Sequence, residues 1–187
     1  DTGVALDRLA AIAVGVGPGR FTGLRVGVTT AKVMAQALRI PVVGIGTLDL
    51  VAYPLHHARR EVVAVVDARR REVFWARYRP VPGGLERVGD EAVDPPQDVA
   101  AELVASGTDV LLAGDGVDRY RDVFATIDHA ELAGPEFSAP SARTLLELAT
   151  GRIEREEFVM PAELVPVYLR ESDAAINWER AQLGPTR

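Results

Sequence analysis

GVGPGRFTGLRVG (residues 15–27) crowds three glycines and a proline into the point where a buried strand stops, and sets two more glycines inside the helix that follows. The run before it, LAAIAVGVG (residues 9–17), is short and apolar throughout, the pattern of a strand covered on both faces. The run after it, Phe21 to Leu38, carries apolar or small residues at helical spacing, with Thr22 as the expected N-cap and Pro41 just beyond the end. PVVGIGT (residues 41–47) then predicts a second buried strand, and LDLVAYPLHHA (residues 48–58) a second helix. Strand, helix, strand and helix in succession imply a parallel pair joined by a crossover, hence an α/β fold.

The glycine loop invites two phosphate-binding readings, and both fail on residue identity. A Walker loop ends in Gly-Lys-Ser/Thr so that the lysine reaches the outer phosphates, whereas Gly23 here is followed by Leu24 and Arg25. A dinucleotide fingerprint needs a third glycine where Thr22 stands, and an acidic residue at the end of the next strand, which closes on Ile45-Gly46-Thr47. A weaker anion loop built from Gly17, Gly19, Arg20 and Thr22 stays open, because backbone N–H groups at a helix start favour negative charge. So does the plain alternative of a tight turn that needs glycine for positive φ.

The helix glycines raise a separate question. Gly23, Gly27, Ala31 and Ala35 recur every fourth residue and form one bald ridge, although an interior glycine costs about 1 kcal/mol relative to alanine. Such a ridge admits the close approach of another backbone, either this protein's own sheet or a partner. Leu24 and Val28 add a flanking apolar row one residue along. Apolar surface on more than one side of a helix exceeds what a single sheet covers, which favours a partner at Phe21, Gly23, Leu24, Gly27, Val28, Ala31 and Ala35.

Beyond residue 59 the pattern changes. EVVAVVDA (61–68), REVFWARYRP (71–80) and GGLERVG (83–89) predict an antiparallel meander. A helix over 95–105, a strand over 109–116 and a helix over 139–153, capped by Ser141 and stopped by Gly151, follow. These divide the chain into an N-terminal lobe (1–59), a second lobe (60–170) and a polar tail (171–187).

With 48% apolar residues and no apolar run long enough to span a bilayer, the expectation is a globular protein of the cytoplasm. The net charge of −6 argues against unaided nucleic-acid binding, and the basic run Arg69-Arg70-Arg71 reads as a solvated turn. Cysteine is absent, His56 and His57 are adjacent and expected to diverge on a helix, and His129 is remote, so no metal-ligand spacing exists. No nucleophile elbow surrounds Ser106, Ser138, Ser141 or Ser172. Asp67 and Asp115 fit turn-capping roles, while Trp75 and Trp178 fit packing. No catalytic residue, metal or cofactor is expected.

Four blocks taken together carry a family resemblance: GVGPGRFTGLRVGVTTAKVMAQAL, PVVGIGTLDLVA, VVAVVDARRREVFWARY and PVYLR, in that order between Leu9 and Arg170. They resemble the TsaB (YeaZ) family of bacterial proteins that act with TsaD in making the threonylcarbamoyl adenosine of transfer RNA. The resemblance implies an actin-like (ASKHA, ribonuclease H-like) fold of two lobes. It also implies a non-catalytic assembly partner of a TsaD-like protein, working with a TsaE-like ATPase and able to form a homodimer when alone. The resemblance further implies a partner contact built from the first two helices of the N-terminal lobe, the second of which maps onto residues 21–38. Family members open on an apolar strand with an Asp-Thr pair, a hairpin and a first helix; Asp1-Thr2 does not stand in for them, so an incomplete first lobe is expected. The rival expectation is an ASKHA-type phosphotransferase using the Gly17 to Gly23 loop.

Overall fold

The computed structural model describes residues 5–170. It contains two sheets: β1 (Ile12–Gly17) with β2 (Val42–Gly46), and a five-stranded sheet of β3 (Glu61–Arg69), β4 (Glu72–Val81), β5 (Gly84–Asp94), β6 (Val110–Ala113) and β7 (Ala130–Leu132) in the order β5-β4-β3-β6-β7. β1 and β2 run parallel, with Ile12 opposite Val42. β3, β4 and β5 form the antiparallel meander, and β6 and β7 add to the other side of β3 in parallel.

The crossover from β1 to β2 is α1 (Phe21–Leu38), with the bounds its periodicity predicts. Its N-cap position is Arg20, which makes no side-chain cap bond, and Thr22 lies inside the first turn; the predicted Thr22 cap is corrected accordingly. The helix ends where Arg39 enters the left-handed region at φ 56° and its N–H reaches the Ala35 and Gln36 carbonyls. α2 (Thr47–Ala52) is shorter than expected, because the chain tightens into a 3₁₀ turn at Tyr53–Leu55. That turn brings the His56 and His57 rings to 3.7 Å between centroids, where an α-helix would have parted them.

Alternation along β3 divides the second core in two, as a period of two requires. Val63 and Val65 face α3 (Pro96–Ser106) and the short helices α4 (Asp115–Arg119) and α5 (Arg121–Phe124), packing with Trp75, Leu103, Leu112 and Phe124. Val62 and Ala64 face α2, packing with Leu48, Val51, Phe74 and Tyr78. The predicted strand over 109–116 stops at Ala113, and Asp115 opens α4.

Sheet β1–β2 is covered on one face by α1 and on the other by α6 (Ala142–Glu154), whose Ala149 packs on Val43 and Ile45. Ser141 caps α6 by accepting the Thr144 N–H at 3.0 Å, as predicted, but Gly151 lies within the helix and does not stop it. Chain order placed α6 with the second lobe, and its packing places it on the first sheet. Val159 pairs with Val42 on the same sheet, so the chain returns to the first sheet after building the second.

One polar network ties the two sheets together. Asp49 on α2 accepts the Tyr78 hydroxyl of β4 at 2.9 Å and sits 3.7 Å from the Arg152 guanidinium of α6, which also donates to the Gly44 carbonyl at 2.7 Å. Glu91 on β5 pairs with Arg87 beside this cluster, and burial, with the Asp49 charge adding to it, pushes its carboxyl above the usual carboxylate value.

Candidate functional site

The glycine loop and α1 resolve into two different things. At Gly17 the backbone has φ 105°, and a Cβ there would stand 2.7 Å from the Val167 carbonyl. The Val167 N–H in turn donates to the Val16 carbonyl at 2.7 Å. Glycine is needed here because this protein's own returning segment crosses at backbone distance, so the close approach seen in the sequence is internal at this position. Gly19, Gly23 and Gly27 differ: a Cβ at any of them meets nothing within 4 Å.

On α1, Leu24, Val28, Ala31 and Ala35 turn toward the sheet. Val28, Ala31 and Ala35 are buried, Leu24 is half-buried, and Phe21 packs against Tyr168 at 5.4 Å between ring centroids. The predicted docking row is therefore corrected. Its alanines and Val28 seat the helix on its own sheet, and only Gly23 and Gly27 stay open. The spacing that buries Leu24, Val28, Ala31 and Ala35 recurs two residues later in Val26, Thr30, Val33 and Ala37. An offset of two residues is about 200° around a helix, so this second stripe points to solvent.

The outer stripe is apolar and uncharged. Val26 is 61% exposed, Val33 60% and Met34 42%, and Gly23, Thr30 and Ala37 lie exposed among them. The helix has two charged side chains, and both are drawn to the segment at 162–168. Lys32 Nζ donates to the Leu164 and Ala162 carbonyls at 2.9 and 3.3 Å; Arg25 Nε donates to the Tyr168 hydroxyl at 3.2 Å and its guanidinium lies 4.0 Å over the Phe21 ring. What remains outward is a smooth face with two glycine gaps, an arrangement that burial against another helix stabilises and water does not.

The remaining candidates have structural partners. Asp67 Oδ1 accepts the Arg69 N–H at 3.0 Å, a turn cap as predicted, and its carboxylate also faces the guanidinium groups of Arg69 and Arg119. Asp115 Oδ1 accepts the Asp67 N–H at 2.9 Å. Trp75 is buried with its indole N–H on Asp94, and His129 contacts the Leu103 carbonyl. Trp178, Ser172 and the tail lie outside the described residues. Among the described residues no group of three or more His, Cys, Asp or Glu is placed to hold a metal ion, and no helix is long and apolar enough to cross a membrane.

Residues 1–178 match the model of the family described as TsaD, tRNA N6-adenosine threonylcarbamoyltransferase. The chain is 37% identical over 174 residues to an uncharacterized protein of Mycobacterium leprae, covering 93% of this chain and 42% of that one. It is 30% identical over 182 residues to the tRNA threonylcarbamoyladenosine biosynthesis protein TsaB of Escherichia coli, covering 96% and 77%. Among solved structures, a Pseudomonas aeruginosa protein described as similar to peptidase YEAZ superposes with a TM-score of 0.77 at 37% identity, covering 90% of this chain and 77% of that one. The α/β arrangement of mixed sheets flanked by helices is thus of the actin-like ATPase type. This chain spans under half the length of the mycobacterial relative and about three quarters of the others.

Proposed function

The chain belongs to the TsaD family, in its TsaB (YeaZ) branch, and from that membership we propose that it is a non-catalytic assembly partner of a TsaD-like protein in cytoplasmic threonylcarbamoylation of transfer RNA. The observation that carries this reading is the outer stripe of α1: apolar, uncharged and about 60% exposed at its valines, with the helix's own cations pulled aside. A helix that buries one stripe on its sheet and presents a second of the same spacing is built for two neighbours. The docking surface is then Gly23, Val26, Gly27, Thr30, Val33, Met34 and Ala37. Small residues at Gly23 and Gly27 let the opposing helix come close, as ridges fitting into grooves require. Of the residues the sequence predicts for the partner contact, Gly23 and Gly27 belong to this surface, whereas Leu24, Val28, Ala31 and Ala35 face the sheet and Phe21 packs on Tyr168. Self-pairing through the same stripe is the expected state when no TsaD-like partner is present, since identical stripes meet about a two-fold axis, and a TsaE-like ATPase joins through the TsaD-like subunit.

Co-expression with the TsaD-like protein of the same organism tests the reading. A heteromeric species should elute as one peak on gel filtration, with the self-paired form of the chain diminished in proportion. Independent elution of the two proteins at micromolar concentration would overturn it.

A further inference from the structure

We infer that residues 159–170 are a strap that governs the docking face of α1: fastened, it holds the helix's two cations off the outer stripe, and lifted, it releases them onto it. This names what controls the surface described under Proposed function, and it rests on that reading. The segment lies outside the helices and strands of the fold, yet it crosses from one sheet to the other. At its start Val159 exchanges two backbone hydrogen bonds of 3.0 Å with Val42 of β2. Leu164 is 5% exposed, packed among Val16, Val28, Ala35 and Val42 beneath α1. The Val167 N–H then donates to the Val16 carbonyl, where the chain passes Gly17 at backbone distance. Beyond that point Leu169 packs on the core of Leu48, Phe74 and Tyr78, and Arg170 donates to Glu72 of β4 at 2.7 Å.

Both cations of α1 end on this segment. Arg25 and Lys32 share one flank of the helix, and each directly precedes a valine of the outer stripe, Val26 and Val33, about 100° away around the axis. Lys32 donates to the Ala162 and Leu164 carbonyls and Arg25 to the Tyr168 hydroxyl, acceptors that are within reach only while the strap lies down. Without them the two charged heads turn to water, and their long stems lie over the neighbouring apolar surface, as such side chains do. An incoming helix must then strip water from charges that no acidic group on α1 offsets. The strap is also easier to open than the sheets it joins. Separate hydrogen bonds and two apolar anchors, Leu164 and Leu169, hold it in place of a continuous ladder, and such segments open locally first. Because a partner seats only on the fastened form, binding and fastening favour each other by the same factor.

The test is titration calorimetry of the full chain with the TsaD-like protein of the same organism, beside amide hydrogen exchange on the chain alone. Tyr168→Ala removes the Arg25 acceptor and should weaken association about tenfold, within the usual range of coupling between sites. Adding Arg25→Ala to it should bring the affinity back to within about threefold of the wild type, because no guanidinium is left to cover the stripe. Leu169→Ala acts from the second lobe: it should quicken exchange of the Val167 N–H at least tenfold in the free chain and weaken association in the same direction. A Tyr168→Ala loss that Arg25→Ala fails to relieve would make Tyr168 an ordinary contact residue and overturn the strap. So would Leu169→Ala with unchanged affinity, or wild-type association that Tyr168→Ala leaves untouched; in each of these cases the assembly reading stands. Absence of association by the wild-type chain overturns the assembly reading, and this inference with it.

Discussion

Gly114→Ala is expected to cost on the order of 4 kcal/mol or more, an exceptional loss for one methyl group. Gly114 joins β6 to α4 at φ 117°, a conformation that side chains avoid, and its missing Cβ is the space occupied by β3. An added methyl would stand 2.0 Å from the Val65 carbonyl oxygen and 2.9 Å from its carbon, both backbone atoms of a central strand that cannot step aside. Val65 is fully buried, so moving it opens the core shared by Val63, Leu112 and Phe124. Domains of this size are commonly stable by about 5–15 kcal/mol, so the variant should lose a large share of that margin. Urea unfolding followed by circular dichroism reads the effect as a lower midpoint at unchanged slope. A loss under about 1 kcal/mol would mean that β6 and α4 are not packed on β3 in this way.

Gly27→Leu should move stability and association in opposite directions. Its Cβ enters open space, and leucine is favoured over glycine in a helix interior by about 0.5–1 kcal/mol, so the isolated chain should melt a few degrees higher. The same side chain fills the gap through which the partner helix approaches, and overpacking a close contact should weaken association about 100-fold. A merely structural glycine would give the reverse pattern: a less stable chain whose association is intact. Gel filtration of the complex beside a thermal melt of the chain alone distinguishes the two.

The fold was legible where one periodicity ran long enough to exclude others. The bounds of α1 follow from an unbroken helical pattern between a glycine turn and Pro41, and β3 and β4 follow from β-branched and aromatic runs about an arginine turn. α4 and α5 escaped notice because five and four residues carry too little pattern, and they hold their shape by packing on β3 and β6. Gly151 misled because a glycine near a helix end reads as a stop, whereas here the Arg152 hydrogen bond to the Gly44 carbonyl holds the last turn against the first sheet.

The docking face was half legible for a geometric reason. Both stripes of α1 use spacings of four, three and four residues, so periodicity reveals two apolar sides without saying which one the sheet takes. The small residues drew attention to the ridge through Ala31 and Ala35, which the sheet takes because their short side chains let α1 lie close over Val42. The valines of the other stripe carried the better signal: β-branched residues are modest helix formers, and Val26 and Val33 hold exposed helix positions where charged residues would serve solubility.

The chain contains no cysteine, so Thr30→Cys places its one thiol at the middle of the outer stripe of α1. Its rate of alkylation by a maleimide, followed by mass spectrometry on the peptide that carries residue 30, reports directly whether this face is covered in the complex. On adding the TsaD-like partner the rate should fall at least tenfold, while a thiol introduced at Glu147 on α6 keeps its reactivity. Complex formation with the residue 30 thiol as reactive as in the free chain would contradict the account.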